Sequence, residues 1–123
     1  MLLFAAILLI TIGLIHSYLG EKYILIRLFR RDNLPHLQGS DWFTKQTLRF
    51  AWHITTLAWW GFAAILLALS NDSENIVNNI LLITASVFLV SGIVSVIFSK
   101  GKHLSWVIFL LIAGLAFYPA IMS

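Results

Sequence analysis

Four long apolar runs dominate this sequence and restrict what the chain can fold into. A helix needs about 20 mostly apolar residues to cross the hydrocarbon core of a membrane. The runs cover residues 2–20, 47–70, 76–98 and 103–122. Strands of an outer-membrane barrel are only about 10 residues long and alternate in polarity, so continuous runs favour helices. The sequence therefore predicts an all-α, integral-membrane four-helix bundle that forms a single domain over residues 1–123.

The composition agrees with a membrane protein. Hydrophobic residues make up 60% of the chain and charged residues 11%, whereas a soluble domain carries about 25% charged residues. The chain contains no cysteine, which excludes disulfides, thiolate metal sites and cysteine nucleophiles. No Lys or Arg precedes the first apolar run, and no small-residue cleavage site follows it, so we expect a retained helix rather than a signal peptide.

The basic residues indicate how the helices are oriented. All of them lie in or beside the first and third connections: Lys22, Arg27, Arg30, Arg31, Lys45, Arg49, Lys100 and Lys102. The second connection has no basic residue, and its only charged residues are Asp72 and Glu74. The positive-inside rule therefore predicts a long basic cytoplasmic loop between helices 1 and 2, with both termini outside. This is the topology of a multi-pass protein of the bacterial inner membrane.

The same charges indicate the partners. Arg27, Arg30 and Arg31 are expected to contact anionic lipid headgroups at the surface of the bilayer. No aromatic and basic binding module accompanies them, so we expect no nucleic-acid partner. Because the bundle is small, we expect it to associate with other protein chains, either as a homo-oligomer or within a larger membrane complex.

The predicted topology gathers polar side chains in one leaflet. His16 lies near the cytoplasmic end of helix 1, where Glu21 follows it, and His53 lies one turn inside helix 2. His103 opens helix 4 from the same side. Titratable residues inside a span usually face the protein interior and are functional. We therefore predict a histidine-based polar site in the cytoplasmic leaflet.

Helical spacing shows which residues accompany these histidines. On helix 2, Thr56 and Trp60 share one face with Arg49 and His53. On helix 1, glycines at 13 and 20 flank His16, and they could leave room for something bulky beside its ring. Small residues at four-residue spacing also follow helix 3, at Ser91, Ser95 and Ser99, where they favour close helix contacts.

The site has three interpretations. In the first, its polar groups only hold helices together. In the second, His16 and His53 are the axial ligands of a b-type haem, with Arg49 as counter-charge and Trp60 as stacking wall, or a divalent metal is bound by His16, His53, His103 and Glu21. In the third, His16, His53 and Glu21 bind and transfer a proton or bind a substrate.

No metal or haem motif of fixed spacing supports the second interpretation, which depends on the common depth of the histidines. We expect a small protein that binds haem or a divalent metal, with a role in electron transfer or another metal-dependent role. The alternatives are a non-catalytic membrane subunit or scaffold and a small proton or solute carrier. Whether the chain is an enzyme stays open.

Two segments, "HSYLGEKYIL" from His16 and "RFAWHITTLAWWGFAA" from Arg49, resemble a group of small bacterial integral-membrane proteins with no assigned activity. The shared pattern is His-x-x-Leu-Gly-Glu followed by Arg-x-x-Trp-His-x-x-Thr. The resemblance covers about half of the chain, in helices 1 and 2. It implies a four-helix protein of the bacterial inner membrane, and it singles out His16, Gly20, Glu21, Arg49, Trp52, His53 and Thr56.

Overall fold

A computed structural model describes residues 1–71 and 74–122. Within these residues the chain forms four long helices and no strand: α1 (Leu2–Leu28), α2 (Trp42–Ser70), α3 (Ile76–Ser99) and α4 (Ser105–Met122). Each is long and apolar enough to span a membrane. The predicted all-α fold of four membrane helices is confirmed. The predicted acidic connection falls partly outside the described residues, because Asp72 is not among them.

Two helix ends differ from the prediction. Helix α1 continues to Leu28 rather than ending at residue 20, and α2 begins at Trp42 rather than at residue 47. Residues 22–28 include neither Pro nor Gly, so nothing in them stops the helix. The connection then turns tightly at Gln38 and Gly39, whose φ angles of 56° and 90° are positive. The hydroxyl of Thr44 then joins the connection to α2 by donating to the carbonyl of Pro35 at 2.7 Å.

The helices pack in chain order. Helix α1 lies against α2, α2 against α3, and α3 against α4. Among the described residues, no Cα atom of α1 comes within 8 Å of a Cα atom of α3 or α4. The bundle is therefore open between its first and last helices, and within the described part of the chain α1 has a single helical neighbour.

Small residues make these contacts close. Ser95 and Ser99 of α3 are fully buried, and a side chain at Gly92 would collide with Leu110 of α4. On the other side of α3, Val87 fills the space that Gly61 of α2 leaves open. Close approach of backbones is the expected packing mode in lipid, where burial of apolar surface does not drive helices together.

Candidate functional site

The contact between α1 and α2 contains most of the polar residues that the sequence singles out. Helix α1 has a π-helical segment here, Gly20–Leu25, in which Gly20 and Leu25 are buried. Such wider turns interrupt α-helices at functional sites more often than elsewhere. Glu21 is the second residue of this segment. The segment thus marks the place where α1 meets the polar face of α2.

Two indole rings cross α1 at its glycines. Trp52 occupies the space above Gly20, and its Nε1 donates to the carbonyl of His16 at 3.1 Å. Two turns earlier along α1, the ring of Trp60 covers Gly13, and its Nε1 donates to the carbonyl of Ile10 at 3.3 Å. The bulky groups beside these glycines are therefore side chains of α2. Their hydrogen bonds to backbone carbonyls fix the level at which the two helices meet.

Glu21 of α1 is shared by two residues of α2. Its Oε1 lies 2.8 Å from Nη2 of Arg49, and Nε of Arg49 donates to its Oε2 at 3.2 Å. The same Oε2 lies 3.2 Å from Nε2 of His53. A two-point contact between guanidinium and carboxylate fixes both groups in one plane. The three side chains are 27–30% exposed, so the site, which we call the Glu21 triad, is only partly shielded.

A chain of hydroxyl groups continues from the triad into the membrane-spanning region. Nδ1 of His53 lies 3.0 Å from Oγ of Ser17, and this oxygen lies 2.7 Å from Oγ1 of Thr56. The buried hydroxyl of Thr56 also lies 3.3 Å from the carbonyl oxygen of Gly13. The chain ends at this carbonyl. It therefore reaches from one end of the helix pair towards its middle and does not cross the molecule.

His16 lies at the same level as His53 but has different neighbours. Its ring stacks on Trp52, with centroids 4.5 Å apart and planes 1° from parallel, and lies 4.8 Å from the ring of Trp59. Its Nε2 is buried and has no hydrogen-bond partner in the described part of the chain. Two indole rings hold this imidazole, and it takes no part in the Glu21 triad.

His103 belongs to a separate cluster. Its Nδ1 lies 2.8 Å from Oγ of Ser105, which lies 2.7 Å from Oγ of Ser95. Its ring packs on Phe43 and Phe50 of α2, with centroid distances of 5.9 and 5.2 Å. This histidine joins the start of α4 to α3 and α2.

The proposed metal ligands are therefore not brought together as a set. Of Glu21, His16, His53 and His103, only Glu21 and His53 are in contact. Within residues 1–71 and 74–122, no group of three or more His, Asp or Glu side chains is arranged to hold a metal ion. This arrangement does not support the predicted divalent-metal site.

The proposed haem ligands also have other partners. Both ring nitrogens of His53 are hydrogen-bonded, so neither has a lone pair free for iron. The ring of His16 lies flat on an indole. Arg49 binds Glu21, and Trp60 binds the backbone of α1. These residues do not fit a haem between His16 and His53 without rearrangement.

The sequence interpretation missed two features of the site. It did not assign Ser17 as the partner of His53, although Ser17 precedes Glu21 by four residues and so shares its helical face. It also missed the π-helical segment, for which the sequence holds no direct signal. It did identify the face of α2 formed by Arg49, His53, Thr56 and Trp60, and all four contact α1.

Comparisons of this chain with protein-family models, with curated proteins and with solved structures give no match. The resemblance to small bacterial integral-membrane proteins stays a prediction.

Proposed function

We propose that this chain is a small multi-pass protein of the bacterial inner membrane that responds to protons through the Glu21 triad. The proposal rests mainly on one observation: His53 joins a carboxylate on Nε2 to a chain of hydroxyl groups on Nδ1. With the basic connections in the cytoplasm, as the positive-inside rule requires, the triad lies in the cytoplasmic leaflet.

The chemistry of the triad supports this role. Arg49 stays charged under all physiological conditions. Histidine is the residue type that most readily gains or loses a proton near neutral pH. When His53 takes up a proton, its Nε2 lies 3.2 Å from the carboxylate of Glu21. The negative charge of this carboxylate compensates the positive charge of the ring.

The hydroxyl chain transmits this change into the helix contact. In a neutral ring with its proton on Nε2, Nδ1 accepts a hydrogen bond from Ser17, and the hydroxyl of Thr56 then donates to Ser17. In the charged ring both nitrogens are donors, so Ser17 accepts from Nδ1, and its own hydroxyl proton becomes available to donate to Thr56 instead. The hydroxyl of Thr56 is then free to donate to the carbonyl of Gly13, which lies within reach. A proton at His53 thus changes a hydrogen bond to the backbone of α1.

This mechanism is tested by carbonyl NMR of Gly13 in lipid bilayers, in a titration over about pH 8 to 5, the range in which imidazoles change charge. We expect the carbonyl signal of Gly13 to move with the ring signals of His53. The shift should persist in Thr56→Ser, which keeps the hydroxyl, and disappear in Thr56→Val and His53→Gln. His36→Gln, in the exposed connection, is the matched control. A carbonyl signal of Gly13 that stays unchanged while His53 changes its charge would contradict the proposal.

A second candidate is a non-catalytic subunit of a membrane complex, which the open bundle favours. Among the residues that the structure describes, helix α1 packs on α2 alone and α4 packs on α3 alone. A subunit whose outer helices join other membrane proteins would leave such faces without partners inside its own chain. Cross-linking in native membranes tests this role. Stoichiometric adducts with a different membrane protein would support it, whereas recovery of the chain alone would count against it.

A further inference from the structure

A second group of charges lies away from the Glu21 triad, where the α3–α4 connection meets the start of α2. The ammonium groups of Lys100 and Lys102 lie 5.1 and 5.5 Å from the centre of the Trp42 ring. Within residues 1–71 and 74–122, no carboxylate lies within 4.0 Å of either ammonium group. Both lysines are exposed. Two positive charges are therefore held next to one interfacial indole ring.

The connection that presents these lysines is firmly built. The N–H of Gly101 donates to the carbonyl of Val96, and Nε1 of Trp106 donates to the carbonyl of Gly101 at 3.1 Å. The N–H of Lys102 donates to the carbonyl of Ser99. A connection held in this way presents its charges with less loss of conformational freedom on binding than a flexible one would.

The backbone at Lys100 is also unusual. Its φ of 52° lies in the left-handed region, which lysine adopts less readily than Gly or Asn. Strained backbone of this kind is retained where the surrounding structure or function requires it. Asn would fit this conformation better, so the position of Lys100 suggests a need for its charge.

A groove next to the lysines has both polar and apolar walls. It has a volume of about 300 Å³ and is lined by Trp42, Gln46, Ile97, Phe98 and Lys100. Ile97 and Phe98 belong to the last turn of α3, whereas Lys100 lies just beyond the helix end. The groove therefore passes from cationic at the membrane surface to apolar below it, which matches a phosphate headgroup above the start of an acyl chain.

The acidic residue next to Trp42 in the sequence does not cancel these charges. Asp41 adjoins Trp42, but its carboxylate is 2.6 Å from the ammonium of Lys45. The C-terminal end of α3 contributes a partial negative charge, which two full positive charges exceed.

We propose that Lys100, Lys102 and Trp42 form a binding site for the phosphate headgroup of an anionic membrane lipid. The lysines bind the phosphate, Trp42 stands at the level of the headgroups, and Ile97 and Phe98 contact the upper part of an acyl chain. The site is independent of the Glu21 triad and does not require the proposed proton response.

The test measures binding of spin-labelled phosphatidylglycerol relative to spin-labelled phosphatidylcholine, by the full chain in phosphatidylcholine bilayers. The variant is Lys100→Asn with Lys102→Gln, which removes both charges and relieves the backbone at position 100. We expect the preference for phosphatidylglycerol to fall by about fivefold for each lysine removed. Thermal unfolding at or above the wild-type temperature checks that the variant is folded.

Lys22→Gln with Arg27→Gln is the matched control for general surface charge, the only way in which Arg27 is expected to attract anionic headgroups. These two cations also lie over one ring, that of Tyr23, at 5.3 Å each. They project from the surface of α1, and Lys22 is bonded to the hydroxyl of Tyr18. We expect this pair to alter the lipid preference much less. An equal loss in both double variants would overturn the proposal, because general surface charge would then explain it.

Inorganic phosphate separates the lipid from a soluble source of the same chemistry. We expect excess phosphate to reduce the lipid preference no more than chloride of equal ionic strength does. Release of the lipid by phosphate alone, in the wild-type chain but not in the Lys100 and Lys102 variant, would assign the site to a soluble phosphate and overturn the lipid proposal.

Discussion

At Glu21, a single carboxylate serves a permanent cation and an imidazole. Arg49 binds it through two nitrogens, and His53 binds through one. Partly buried charges are tolerated inside a membrane protein when they face one another rather than lipid. The triad therefore explains why a helix with an apolar middle accommodates both an arginine and a histidine within its first turns.

Removal of the charge at residue 21 should weaken the contact between α1 and α2. In Glu21→Gln, Arg49 keeps only a neutral partner, so we expect a loss of about 1–3 kcal/mol in the free energy of unfolding. The measurement is reversible unfolding in mixed micelles. Glu74→Gln, in the exposed connection between α2 and α3, is the control and should unfold like the wild type. Equal stability of the two variants would show that the triad does not hold the helices together.

Gly20 offers a second test at the residue scale. A Cβ at this position would collide with the ring of Trp52, which also donates to the carbonyl of His16. We expect Gly20→Ala to lower the free energy of unfolding by about 1–3 kcal/mol, the usual cost of overpacking. Gly114→Ala is matched, because a Cβ there meets nothing within 4 Å. Thermal unfolding of both variants checks this, and a stable Gly20→Ala would contradict the close approach of Trp52.

At the scale of helices, much could be predicted because membrane spans need long apolar runs. The existence of all four helices follows from this requirement alone. Helical spacing also identified the polar face of α2, since residues 49, 53, 56 and 60 recur every three or four positions. The end of α1 could not be predicted, because the residues after Glu21 are equally suited to a helix and to a segment that lies along the membrane interface.

The failures at the site have a common physical cause. Depth along a helix follows from residue numbers, so the common level of His16 and His53 could be anticipated. The direction of each ring depends on neighbours that only tertiary packing supplies. The ring of Trp52 stacks on that of His16, while the ring nitrogens of His53 are hydrogen-bonded to Ser17 and Glu21. Two histidines at one level therefore serve different contacts, and His103 joins a third group.

The start of α2 gives a prediction outside the membrane-spanning region. A hydrogen bond from Lys45 holds the pKa of Asp41 below its ordinary value of 3.8. Because the pKa of Asp41 is lowered in the folded chain, this pair stabilises the fold fully at pH values above the ordinary pKa. The stabilisation is lost as the pH falls through the lowered pKa of the folded chain. NMR titration of the Asp41 carboxyl should show the lowered pKa, and Lys45→Ala should raise it. An unchanged titration in Lys45→Ala would show that the pair is absent in solution.

At the scale of the whole molecule, the basic connections indicate which end of the protein faces the cytoplasm, and the open bundle leaves faces of the outer helices available for contact with lipid or other proteins. The connection before α2 and the one before α4 lie at the end of the molecule where the Glu21 triad and Lys100 are found. If this end faces the cytoplasm, both proposed sites share one leaflet. Protons would then act on α1 and α2, and lipid headgroups would act on α3 and α4.

Single cysteines test this orientation, because the chain has none of its own. We expect a cysteine in place of Gln38 to be protected from an impermeant thiol reagent in intact cells and to react after lysis. A cysteine in place of Glu74 should react in intact cells. The physical reason is the concentration of basic residues in the first and third connections. The reverse pattern would place the Glu21 triad in the outer leaflet.

The contact between Glu21 and His53 is tested most directly by solid-state NMR of the chain in lipid bilayers. A Glu74→Gln background leaves Glu21 as the only glutamate, so a ¹³C label on its carboxyl is unambiguous. Recoupling to ¹⁵N-labelled histidine should reveal one directly hydrogen-bonded imidazole nitrogen, as the 3.2 Å contact requires, and the signal should vanish in His53→Gln. A Glu21 carboxyl coupled to no imidazole, or one whose coupling survives His53→Gln, would contradict the account.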